Sequence, residues 1–131
     1  MIEHPNSLLL HQCLQAANAG DRQTLQALWA EDIVWRVKGA GPWRGEIKGA
    51  EEIFEHLADL GEVGSVGFHT EIEDVMVSNR RAAVLCQSTA EFGDRSLDAK
   101  FLLIATIIDR RIQEVVTVPI DPERVEEFWA A

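Results

Sequence analysis

Tyrosine is missing from this chain of 131 residues, and cysteine, proline and basic residues are scarce. Without tyrosine there is no phenol to move a proton or hold an oxyanion. The two cysteines, Cys13 and Cys86, lie inside apolar patterns with no Cys-x-x-Cys or other ligand spacing. They read as buried thiols in a reducing cytoplasm. With 12 Lys+Arg against 22 Asp+Glu, the formal charge is -10. No basic patch is available to displace counterions from phosphates, which argues against nucleic acid and anionic membrane as partners. No apolar run approaches the roughly 20 residues of a membrane span, and the longest, residues 101–108, is of strand length. The opening M-I-E-H-P-N lacks the cationic-then-apolar order of a secretory signal. There is no Gly-x-Gly-x-x-Gly, phosphate loop or Gly-x-Ser-x-Gly, so nucleotide binding and acyl hydrolysis have no support.

What is present is a chain of ordinary globular composition, 47% hydrophobic and 26% charged, long enough for one domain spanning residues 1–131. Asn6 or Ser7 can cap a first helix that runs to residue 19, with Leu10, Cys13, Leu14 and Ala17 as its buried stripe. Gly20 stops it, and Asp21 caps a short second helix in which Leu25, Leu28 and Trp29 share a face. After Glu31-Asp32 the rhythm becomes extended. Residues 33–37 form a strand, Gly39, Gly41 and Pro42 break it, and residues 43–48 can add a short second one. A third helix is expected over 50–60, with Ile53, Phe54, Leu57 and Leu60 inside and its acids outside. From residue 67 the chain reads as four long strands, 68–77, 82–92, 97–108 and 112–120. Their turns fall at Ser78-Asn79-Arg80, Gly93-Asp94 and Asp109-Arg110. Asp121-Pro122-Glu123 starts a last helix that would pack Val125, Phe128 and Trp129.

Helices first and a strand meander afterwards predict an α+β domain with helices on one face of an antiparallel sheet, a sheet that encloses space if it is strongly curved. The space between them is the default ligand site.

Several segments together resemble the nuclear transport factor 2-like (cystatin-like) superfamily, and within it the SnoaL-like polyketide cyclase and ketosteroid isomerase group. They are N-A-G-D at residues 18–21, L-W-A-E-D-I-V-W at 28–35, W-R-G-E-I-K-G at 43–49 and R-I-Q-E-V at 111–115. The order of elements agrees from about residue 6 to 130. The resemblance implies a cone-shaped, curved antiparallel sheet with helices packed on its concave face, an apolar cavity for a small hydrophobic or polyketide-like molecule, no cofactor, and a homodimer formed through the outer face of the sheet. It also implies proton-transfer chemistry (isomerisation, cyclisation or dehydration) if the chain is an enzyme. The competing expectation is a non-catalytic module for ligand binding or protein association.

The known chemistries of that group find few matching residues. A ketosteroid isomerase needs a carboxylate base with a tyrosine and a protonated aspartic acid as oxyanion donors. Aligned on Gly20-Asp21 and Glu31-Asp32, those positions fall on Val37, Cys13 and Ile104. Limonene epoxide hydrolase places Arg-x-Asp on a central strand and an aspartate on the last. Here the central strand reads C-Q-S-T-A-E over 86–91, and the last reads T-V-P over 117–119.

The polar groups that could face the cavity are therefore the remaining candidates for catalysis. Asp98, Lys100, Leu102, Ile104 and Thr106 share one strand face. If it is the inner one, Asp98 and Lys100 sit at the mouth as an acid/base pair and Thr106 lies deeper; otherwise they are a solvated rim pair. Arg36 alternates with Trp35 and Val37, so it is either an outward contact or an anion clamp. His69, Glu71 and Glu73 read as a solvated face without the ligand set of a metal site. The expected ligand-binding residues are Cys13, Trp35, Val37, Trp43, Phe54, Ile104 and Thr106. Trp35 and Trp43 either line the cavity or fill it, each indole N–H wanting a partner; Trp29 and Trp129 read as core packing.

Overall fold

A computed structural model describes residues 4–38, 45–55, 69–92 and 94–129. Helix α1 (Pro5–Ala19) begins two or three residues earlier than expected. Pro5 supplies a preset φ at the first position, and His4 is the cap, its Nδ1 accepting from the Asn6 amide at 3.1 Å. Asn6 is instead buried and donates its side-chain amide to the Ser78 carbonyl at 2.8 Å. At the other end Gly20, with φ 70, turns its N–H back onto the last turn of the helix. Asp21 then caps α2 (Arg22–Leu28), accepting from the Thr24 amide at 3.2 Å and its hydroxyl at 2.6 Å. These bonds hold the Asp21 carboxyl below its ordinary range.

Strand β1 (Trp29–Val37) starts at Trp29, so that tryptophan ends the second helix rather than continuing it. Strand β2 (Gly45–Lys48) pairs back on β1, and the described part of α3 follows over residues 50–55. The remainder of the expected third helix, Trp43 and the packing of the Trp129 side chain lie outside the described residues. The meander is β3 (His69–Val77), β4 (Arg81–Phe92), β5 (Arg95–Ile108) and β6 (Arg111–Pro119). Helix α4 (Pro122–Trp129) closes the chain, with the Asp121 side chain accepting from the Arg124 amide at 3.3 Å.

The sheet order is β2-β1-β6-β5-β4-β3. Every pairing is antiparallel except β1 with β6, which run parallel. That pair departs from the all-antiparallel expectation for a simple reason. After β2 and α3 the chain crosses to the far edge, meanders back strand by strand, and arrives beside β1 in the same direction. Register shifts interrupt the ladders, with the extra residues in β1, β3 and β6. Such irregularities bend a sheet and increase its twist.

The helices pack on the concave face. Leu9, Leu10, Cys13 and Ala16 of α1, Leu25 of α2, and Ile53 and Phe54 of α3 meet Ile33, Val84, Cys86, Ala105 and Ile112 in the main core. Val125 and Phe128 of α4 cover Ala90, Leu97 and Ala99 in a smaller one. The Asn18 side chain fastens α1 to the edge of β3, donating to the Thr70 carbonyl at 2.8 Å and accepting from its amide at 3.0 Å. In effect the amide group adds one more rung to an open edge. No described helix is long and apolar enough to cross a membrane.

Candidate functional site

Between the helices and the β1–β6–β5 part of the sheet lies a cavity of about 160 Å³. Leu10, Cys13, Leu14 and Ala17, one face of α1, form its roof; Leu25, Trp29 and Ile53 close one side. The floor is Ile33 and Trp35 of β1, Ile112, Val115 and Thr117 of β6, and Leu103 of β5. The expected helical stripe and the Ile33/Trp35 alternation both reach it. Leu10 and Cys13 are buried while Ala17 is exposed, so the space opens outward along α1.

The few polar atoms here each have a partner within the protein. Trp35 Nε1 donates to Thr117 Oγ1 at 2.8 Å, joining β1 to β6 across the floor. Burial pushes the Cys13 thiol up to about 11, and a hydrogen bond from the Trp29 side chain pulls less strongly the other way. Cys13 is therefore an uncharged, weakly polar wall at neutral pH. The described lining holds no carboxylate, imidazole, amine or guanidinium.

Behind the lining, Phe54 stacks on Trp29 with ring centroids 5.1 Å apart, and the Arg22 guanidinium lies 4.5 Å over the Phe54 ring. Phe54 is thus buried support for the wall rather than lining. Trp29 packs against the core, as expected, and also borders the cavity. Val37 shares the Trp35 face but is only partly buried and lies beyond the lining.

The strand β5 expectation is reversed. Leu103 faces the cavity, and Leu97, Ala99, Ala105 and Ile107 are buried with it. By alternation Asp98, Lys100, Ile104 and Thr106 project from the outer face. Ile104 and Thr106 therefore do not line the cavity, and Asp98 and Lys100 do not stand at its mouth as a pair. Asp98 accepts from Gln87 Nε2, whereas Lys100 Nζ lies 3.2 Å from Glu73. Arg36 also points outward, donating through Nε to Glu114 at 3.0 Å and through a terminal nitrogen to Glu46. Lys48 and then Arg36 hold the Glu46 carboxyl below its ordinary range. The three ionisable candidates are thus surface groups in separate polar contacts. Among the described residues no three His, Cys, Asp or Glu side chains gather as a metal site.

Thr117 is the residue that sequence reasoning missed. It sits in the apolar run V-V-T-V over 115–118 and matched no catalytic motif. The available signal was the indole of Trp35, which needs an acceptor once buried.

A family model for the SnoaL-like domain matches residues 10–115. Among solved structures, Bal32a from a soil-derived mobile gene cassette is 27% identical, covers 96% of this chain and 97% of its own, and superposes with a TM-score of 0.88. A Xanthomonas campestris protein of unknown function with a cystatin-like fold is 21% identical over 98% of this chain and 100% of its own, with a TM-score of 0.85. TerC, co-crystallised with polyporic acid, is 15% identical over 98% and 100%, with a TM-score of 0.86. No curated protein matches the chain by sequence.

Proposed function

The chain belongs to the SnoaL-like domain family, and from that premise we propose that it binds a small, neutral, apolar molecule in the cavity beneath α1 without transferring a proton. One observation carries this reading: the only ionisable group in the described lining is the Cys13 thiol, whose proton burial retains up to about 11. Isomerisation, cyclisation or dehydration needs a positioned acid or base whose pKa suits the working pH. A protonated thiol among leucines is neither. What remains is shape, aromatic surface from two indoles, and one hydroxyl, which suit binding.

A thermal-shift screen of aromatic and terpenoid compounds tests it, since a ligand that binds only the folded chain raises the melting temperature with concentration. Ligands that stabilise the protein but emerge chemically unchanged after long incubation support binding alone. Turnover of a stabilising ligand, whether or not it survives in a Cys13→Ala variant, would overturn the non-catalytic reading.

The proposed macromolecular partner is a second copy of the chain, docked through the outer sheet face. Leu85, Leu102, Ile104, Val116 and Val118 lie there, all only partly buried, with exposed Met76 beside them. Sedimentation at micromolar concentration should give twice the chain mass, and a monomer would reject it.

A further inference from the structure

We propose that Thr117 selects the ligand by donating its hydroxyl proton, so that the molecule held is a single neutral ring bearing a carbonyl-type acceptor. The inference rests on the binding reading above and adds the polarity and size of what is bound. Indole nitrogen is a donor only, and Trp35 Nε1 sits 2.8 Å from Thr117 Oγ1. The threonine oxygen is therefore engaged as an acceptor, and the hydroxyl proton is directed away from Trp35. No described hydrogen bond consumes that proton. The Thr117 main-chain carbonyl is taken up separately by the Lys38 amide at 2.9 Å.

The other polar groups of the described lining do not compete. The Trp29 side chain is bonded to Cys13, and a thiol is a weak donor. Thr117, 8% exposed, thus presents the one strong donor left on an otherwise apolar floor. A ligand oxygen that only accepts complements it. An amine, which leads with its own hydrogens, fits less well: it leaves the threonine proton unused and finds only the second lone pair of an oxygen that already accepts from Trp35. A carboxylate would accept the proton too, but no cation in the described lining offsets the desolvation of its charge.

Size narrows the class further. At about 160 Å³ the space resembles the roughly 150 Å³ apolar cavity that stays dry and admits benzene. One ring with a short substituent fits that volume, whereas a fused multi-ring skeleton would have to project out of it along α1.

The test uses the full chain and three probes of one shape: acetophenone, ethylbenzene and benzoate, titrated by calorimetry. Acetophenone should bind about fivefold more tightly than ethylbenzene, the worth of one neutral hydrogen bond, and benzoate more weakly than either. Thr117→Val should bring the ketone-to-hydrocarbon ratio to about one, and Thr117→Ser should keep it well above one. Infrared spectra of the unmodified protein with acetophenone provide a reading independent of any variant's folding: the bound carbonyl stretch should fall below its position in alkane solvent. An unshifted carbonyl, or a preference that survives Thr117→Val, overturns the assignment to Thr117. Equal binding of ketone and hydrocarbon removes the inference but leaves the cavity a ligand site, whereas binding of neither removes both.

Discussion

The two faces of the sheet are made by alternate residues of the same strands, yet they follow opposite rules for polar groups. On the concave face polar atoms are neutral and paired with one another: Trp35 with Thr117 at 2.8 Å, and Thr70 with Ser88 at 3.0 Å. On the convex face the groups are charged and meet in water, as Arg36 does with Glu46 and Glu114, and Lys100 with Glu73. Exposed ion pairs contribute little because solvent already stabilises each charge. Buried neutral pairs matter because breaking one leaves a desolvated group with nowhere to turn. Most of this protein's charge therefore decorates it, while a few uncharged hydrogen bonds shape its interior.

The sharpest way to break that comparison is to move a charge from one face to the other. Leu103→Lys should cost about 4 kcal/mol or more in urea denaturation, since it places an ammonium among carbon atoms. Thr106→Lys, three residues along on the other face, should change stability by less than about 0.5 kcal/mol. Similar losses at both sites would contradict the assignment of faces.

Next comes pH. Burial raises both thiols from 9.0 to about 11, with Glu73 adding to the effect on Cys86. The folded state thus holds protons that the unfolded chain releases first. The stabilisation is complete below pH 9 and is lost as pH rises through 9 to 11, by about 2 kcal/mol per thiol. Denaturation midpoints measured across that window should fall, and a Cys13→Ala/Cys86→Ala variant should show a shallower slope.

A smaller effect is expected at the floor of the cavity. Thr117→Val should destabilise by about 1–2 kcal/mol because the Trp35 N–H loses its acceptor. Adding Trp35→Phe should cost less than the sum of the single changes, a coupling that a double-mutant cycle reads directly. Smallest of all, Arg36→Ala should leave the denaturation midpoint unchanged within experimental scatter, at low salt and high salt alike. A clear loss there would mean that the convex face carries more of the fold than its exposure suggests.

How much of this was legible in the sequence varied with how polar and apolar residues alternate. Six strands in the expected order, the Gly20 stop, the Asp21 cap and the Asp121-Pro122 start all rest on local chemistry that a short window displays. The family resemblance supplied the architecture. The parallel β1–β6 pair escaped because nothing near either strand records which distant neighbour it will meet. Strand β5 misled for a different reason. Residues 101–108 read F-L-L-I-A-T-I-I, apolar on both faces, so periodicity could not say which side was inward. Thr106 drew attention as a polar residue in that run and turned out to face away. The charges at Asp98 and Lys100 were the better guide, since their side is the one that water reaches. In β1 Arg36 sits between Trp35 and Val37, and of the two readings left open for it the outward contact is the one the structure shows.

The Trp35–Thr117 bond spans 82 residues of chain, which bears on how the molecule assembles. Neither wall of the floor can find the other until β6 has been synthesised, and β6 is the last strand. Long-range and parallel pairings of this kind form late, because the entropy of closing the loop precedes any reward from contact. A nascent chain stopped after β5 would have strands and helices but only half of the floor. Its inner face would lie open to chaperones or to neighbouring chains. In refolding experiments, quenching or shifting of Trp35 fluorescence should therefore be among the last signals to reach its native value.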